Sequence, residues 1–123
     1  MGPWRVKVCT DEQWAAVQAE RRAFREQGLD HCAAMARLMQ ERGEVYFHWY
    51  ADRREFMWQC PGCGRVYGGT TGEHAVSGWN EPRWVNSGTL DAPTLHPSLG
   101  CQEWRAGKCF GHFWLENGSL RTA

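Results

Sequence analysis

The sequence predicts an α+β protein: an N-terminal strand and helical hairpin packed on a small antiparallel, zinc-ribbon-like β region with long loops. Three observations carry that expectation. Residues 10–42 place apolar side chains at helical spacing between clear start and stop signals. Residues 45–59 and 112–122 turn to aromatic, strand-like sequence. Two pairs of soft metal ligands, Cys60-Pro-Gly-Cys63 and Cys109-Phe-Gly-His112, sit where those strand-like runs end or begin.

Taken in order, residues 4–9 alternate apolar with basic side chains and read as a half-buried strand. Thr10-Asp-Glu-Gln13 has the capping-box pattern, which predicts a helix over residues 11–27 with Trp14, Val17 and Phe24 on one stripe. Gly28 stops it. Asp30 caps a second helix over residues 31–42, with Met35, Leu38 and Met39 as its apolar face and Gly43 as its end. The charged outer faces of this hairpin read as solvated surface. Residues 45–50 and 54–59 form a predicted strand pair that leads into Cys60. Residues 64–92 are rich in Gly, Thr, Ser, Asn and Pro and read as long loops with short strands. Residues 112–122 predict a hairpin about a type I′ turn at Asn117-Gly118.

The 123 residues predict a single domain over residues 1–123. Fourteen basic residues balance 14 acidic ones, which argues against a general polyanion binder. No apolar run reaches transmembrane length. Met1-Gly-Pro-Trp-Arg-Val-Lys7 has no apolar leader, so a reducing cytoplasm, that of a bacterial host cell, is the expected compartment. There, a CxxC favours metal over a disulfide framework. A redox dithiol would open a helix, whereas Gly64-Arg-Val-Tyr-Gly-Gly follows Cys63. Eight tryptophans mostly read as large core rings in a small core.

The expected metal ligands are therefore Cys60, Cys63, Cys109 and His112, holding one structural zinc ion, with Cys101 or His96 as alternates. Four protein ligands leave no open position for catalysis. The His-x-Glu deaminase pattern and the HExxH protease motif are both absent from the sequence. His74 reads as loop surface. His31 and His48 read as helix and strand surface, and Cys9 and Cys32 as small buried residues. Pro93-Thr94 and Pro97-Ser98 read as conformational, with their hydroxyls bonding nearby backbone. A nucleophilic Ser98 would need a base, and no local cue supplies one.

From Phe56 to the C-terminus the chain resembles an uncharacterised family of small phage and prophage proteins. The features that carry the resemblance are the knuckle Cys60-Pro-Gly-Cys63-Gly64, a tryptophan-containing middle and the run Gly88-Thr-Leu-Asp-Ala-Pro-Thr-Leu-His-Pro-Ser98. A Cys/His pair before an Asn-Gly hairpin, residues 109–118, completes it. The resemblance implies a zinc-binding fold of phage or prophage origin and no assigned activity. Residues 1–43 lie outside it.

The function expected on these grounds is a non-enzymatic interaction module whose partner is another protein, serving host takeover, counter-defence or a minor virion role. Its contact surface would be the loop over residues 68–93, with Trp79 and Trp84 as anchors. A nucleic-acid-binding ribbon flanked by Arg65, Arg83 and Arg105 is the first alternative. A zinc-dependent hydrolase is the second.

Overall fold

In this computed structural model residues 3–50, 52–72 and 84–123 are described. Strand β1 (Trp4–Val8) buries Trp4 and Val6 and exposes Arg5 and Lys7, the alternation of a strand with one face in a core. Helix α1 (Asp11–Glu26) begins at the expected capping box: the Thr10 hydroxyl accepts the Gln13 N–H and the Gln13 side chain accepts the Thr10 N–H. Helix α2 (His31–Arg42) is capped by the Asp30 carboxylate and ends at Gly43, whose φ of 63° is the left-handed conformation glycine tolerates.

Strand β2 (Glu44–Tyr50) follows at once and lies parallel to β1. Parallel neighbours need a crossover connection, and the α1–α2 hairpin is that crossover. The remaining strands are β3 (Glu55–Gln59), β4 (Val66–Thr70), β5 (Val85–Asn86), β6 (Leu95–Gly100), β7 (His112–Glu116) and β8 (Ser119–Thr122); a single helical turn, α3 (Gln102–Arg105), leads out of β6. They build one sheet in the order β4-β3-β2-β1-β8-β7-β6-β5. Its two ends approach each other. The Trp84 N–H donates to the Thr70 carbonyl at 3.0 Å, and the Gly72 N–H donates to the Trp84 carbonyl at 3.1 Å.

The expected α+β class holds, but the β region is a curled eight-stranded half-barrel rather than a zinc ribbon. Strand β1, expected to stand with the helices, lies in the middle of this sheet. The inside of the curl is packed by Trp4, Val6, Phe47, Phe56, Trp58, Leu99, Phe113 and their neighbours. A second cluster, with Val17, Met35, Met39 and Tyr46 at its centre, joins the helices to the outer face of β2. Both faces of β2 are thus covered, which explains its almost unbroken aromatic and aliphatic sequence.

His48 also lies on that helix-covered side and is buried, correcting the expectation of a surface residue. Its Nδ1 lies 2.9 Å from the Cys9 carbonyl and its Nε2 lies 3.0 Å from the Asp11 carboxylate. Cys9 is buried as expected, and Cys32 is half-buried.

The knuckle after β3 presses against α2. Gly64 has φ +72°, and a Cβ there would lie 1.8 Å from the Cys32 carbonyl oxygen. Gly64→Ala is therefore expected to destabilise the protein by about 3 kcal/mol, through left-handed backbone strain and overpacking together. A urea midpoint near that of the unmodified chain would disprove this docking.

Candidate active site and cysteine centre

Four cysteines converge at one end of the curl. Cys60 and Cys63 come from the turn after β3, Cys101 from the end of β6 and Cys109 from the loop before β7. Their Sγ atoms all lie within 4.8 Å of one another. Tetrahedral zinc with thiolate ligands spaces its sulfurs about 3.8 Å apart, and the Cys60–Cys109 separation is 3.9 Å. The backbone N–H of Gly62 points at Cys60 Sγ at 3.4 Å, and that of Trp104 at Cys101 Sγ at 3.3 Å. Such N–H donors are the outer contacts that thiolate ligands use. Gly111 packs tightly here, since a Cβ would lie 2.6 Å from Cys101 Sγ and 2.7 Å from Cys60 Sγ.

Thiols this close share protons rather than ionise together. The hydrogen bond from Cys60 holds Cys63 down to about 5. That same bond, with burial, pushes Cys60 far up, and burial raises Cys101 to about 11. A divalent cation removes the conflict, because each sulfur can then be a thiolate. The donor set therefore fits zinc, and it is closed: four sulfurs leave no place for a bound water.

The expected fourth ligand, His112, is not in this cluster; Cys101, named as an alternate, takes the position. His112 is the first residue of β7, where Phe113 and Leu115 point into the core and His112 and Trp114 take the opposite face. On that face its Nε2 lies 2.7 Å from the Ser98 Oγ of β6. The pairing of Gly100 with His112 sets this geometry, placing Ser98 diagonally across the ladder.

The Trp104 ring stacks on the imidazole, with centroids 4.1 Å apart and planes 21° apart. A Cβ on Gly100 would meet the Trp104 ring at 2.9 Å, so glycine there is what lets the indole reach the histidine. Trp104 is in turn placed by Cys101, which caps α3 and accepts the Trp104 N–H. The sulfur cluster, α3 and the His112 ring are thus one connected assembly. Among the described residues no carboxylate forms an ion pair with His112. Stacking and strand geometry hold the ring.

A serine hydroxyl within hydrogen-bond reach of an imidazole is the geometry of an activated nucleophile. The model of the family described as "Bacterial ubiquitination-like system serine protease (BubE)" matches residues 31–123. The chain belongs to the BubE family. No curated protein and no solved structure gives a significant match. BubE membership overturns the expected non-enzymatic interaction module, together with its nucleic-acid-binding and zinc-dependent-hydrolase alternatives and the phage and virion setting. The family match also begins earlier than the resemblance did, taking in α2.

The other expected site residues fall elsewhere. Trp84 is 5% exposed and packs edge-on against Phe56, so it is a core ring and not a contact anchor. Its indole N–H donates to the Ser98 carbonyl at 3.4 Å. Trp79, His74 and Arg83 lie outside the described residues. His96 is exposed beside Trp114, away from the sulfurs. Thr94 behaves as expected of a conformational residue, its hydroxyl accepting the Asn117 N–H at 2.7 Å. No helix among the described residues is long and apolar enough to cross a membrane.

Proposed function

We propose that this BubE-family chain is a peptidase in which Ser98 is the nucleophile and His112 the general base. The observation that carries the reading is the 2.7 Å Ser98 Oγ–His112 Nε2 contact in a chain whose family is described as serine proteases. As Ser98 Oγ bonds to the substrate carbonyl carbon, His112 Nε2 takes the hydroxyl proton. The imidazolium then donates that proton to the leaving amine as the C–N bond breaks. Water, giving a proton to the same ring, then adds to the acyl carbon. The ring passes that proton to Ser98 Oγ as the ester C–O bond breaks, which releases the acid and restores the serine.

Cys60, Cys63, Cys101 and Cys109 would hold one zinc ion, whose contribution is structural: it ties the end of β3 to the ends of the two strands that carry Ser98 and His112. Metal binding of this kind adds directly to folding free energy. The family's description supports a substrate that is a protein of a ubiquitination-like system.

The test uses a ubiquitin-like protein bearing a C-terminal extension, incubated with the purified zinc-loaded chain and read by intact mass. Release of a defined fragment supports the reading. Substrates of this type that all stay intact over hours would count against it. The Trp104 stack gives a second check. Gly100→Ala is expected to lower turnover on the order of tenfold to a hundredfold by displacing the indole from His112, as small misplacements of a catalytic group do. Turnover equal to that of the unmodified chain would show that the stack has no catalytic role.

A further inference from the structure

A cavity of about 400 Å³ lies in the seam of the curled sheet, between β4 on one side and β6 with α3 on the other. Arg21, Arg65 and Arg105 line it, with the rings of Trp58, Tyr67 and Trp84, and no carboxylate lines it among the described residues. The chain as a whole has zero net charge, so three guanidiniums on one groove are a local concentration of positive charge.

Their partners leave donors unused. The Arg21 Nε–H is buried without a hydrogen-bond partner among the described residues, and its Nη2 donates to the Cys32 sulfur at 3.8 Å, a weak acceptor. Among the described residues Arg65 has one long pair, 3.8 Å to Glu103. Arg105 makes no ion pair among the described residues. Guanidinium forks match carboxylates in shape and charge, and a groove walled by aromatic rings screens such a pair less than open water does.

The groove reaches β6 two residues from Ser98. Gly100, two residues beyond Ser98 on β6, lines it, and a Cβ there would lie 3.9 Å from His112 Cδ2. Trp84, another wall, donates to the Ser98 carbonyl. Ser98 and His112 do not themselves line the seam, but through Gly100 it would come within reach of the residues flanking the bond in a peptide that acylates Ser98.

We propose that this seam is a specificity subsite that takes a carboxylate of the substrate peptide close to the scissile bond, from an Asp or Glu side chain or from the chain terminus. The proposal rests on the serine-protease reading and names the substrate class of that site.

The test compares matched fluorogenic peptides with Glu, Gln or Lys at each position flanking the cleaved bond, each with a free and an amidated C-terminus. It uses the zinc-loaded chain and its Arg65→Gln/Arg105→Gln and Arg105→Glu variants, with zinc content and thermal melting checked for each. The unmodified chain is expected to favour one carboxylate-bearing peptide by about tenfold in kcat/KM, the worth of a charge-assisted hydrogen bond. The Glu and free-acid arms tell a side-chain carboxylate from a terminal one. That preference is expected to fall to near unity in the double variant and to reverse toward Lys peptides in Arg105→Glu.

Equal cleavage of charged and neutral peptides overturns the proposal. So does a preference that survives the double variant, or an oligonucleotide affinity that the double variant abolishes while peptide preference stays. If a serine-directed organophosphorus probe leaves Ser98 of the unmodified chain unlabelled and no peptide is cleaved, the protease reading itself fails and this subsite falls with it. Labelling of Ser98 with no carboxylate preference overturns the subsite alone.

Discussion

Ser98→Ala is expected to lower kcat for peptide cleavage by at least about a thousandfold while leaving the fold and zinc content intact, as loss of a serine nucleophile does elsewhere. Ser98 is half-buried on β6, and its hydroxyl bonds the His112 ring at 2.7 Å. Removing the oxygen deletes a partner on the outer face of the sheet and leaves the Leu99 and Phe113 packing beneath untouched. His112→Gln is expected to cost a similar factor, since an amide has the reach to bond the hydroxyl but cannot carry its proton. Because the two groups act as one unit, Ser98→Ala/His112→Gln is expected to be no slower than either single variant. Initial rates on one peptide substrate check all three. Multiplying losses in the double variant would mean that the residues act separately.

The second large effect concerns the metal. Cys101→Ser is expected to lose zinc and with it the ordered ends of β3, β6 and β7, whereas His112→Gln is expected to keep a full equivalent. A structural zinc ion contributes on the order of 10 kcal/mol to folding, comparable with the whole stability of about 5–15 kcal/mol of a typical domain. Cys101 lies wholly buried among the sulfurs, and His112 turns to the other side of its strand. Metal content by mass spectrometry, with near-ultraviolet circular dichroism for tertiary order, reads both variants. Zinc retained by Cys101→Ser and lost by His112→Gln would restore the Cys109-Phe-Gly-His112 ligand pair and remove His112 from the active site.

What the sequence disclosed was local. The Thr10 capping box, the Gly43 stop, the Asn117-Gly118 turn and the Cys60–Cys63 knuckle are each written within a few neighbouring residues, and each lies where its pattern placed it. The fourth sulfur and the dyad depend on pairing between distant residues. Cys109-Phe-Gly-His112 has ligand spacing, but the pleat of β7 carries the imidazole away from the metal side, and the chain returns through Cys101 to complete the cluster.

Ser98 was hidden by its surroundings. Pro93-Thr94 and Pro97-Ser98 read as conformational, with their hydroxyls bonding nearby backbone, yet residues 95–100 join β7 across an irregular ladder, with a cis peptide at His96-Pro97. The proposed base, His112, lies 14 residues further on and meets it only across that ladder. No motif of fixed spacing announces such a pair. Trp84 misled for a similar reason: its polar, glycine-rich neighbours suggest a surface loop, but the curl of the sheet brings the ring onto Phe56. The parallel β1–β2 pair was legible in principle, because a strand, a helical hairpin and a second strand in succession form a crossover unit.

The most direct test of a Ser98 nucleophile activated by His112 is the site and rate of covalent labelling by a fluorophosphonate, followed by peptide mapping. The expected result is a single adduct on Ser98 in the zinc-loaded chain, formed far more slowly in His112→Gln. An adduct on another serine, or labelling of Ser98 at an undiminished rate without the imidazole, would contradict it.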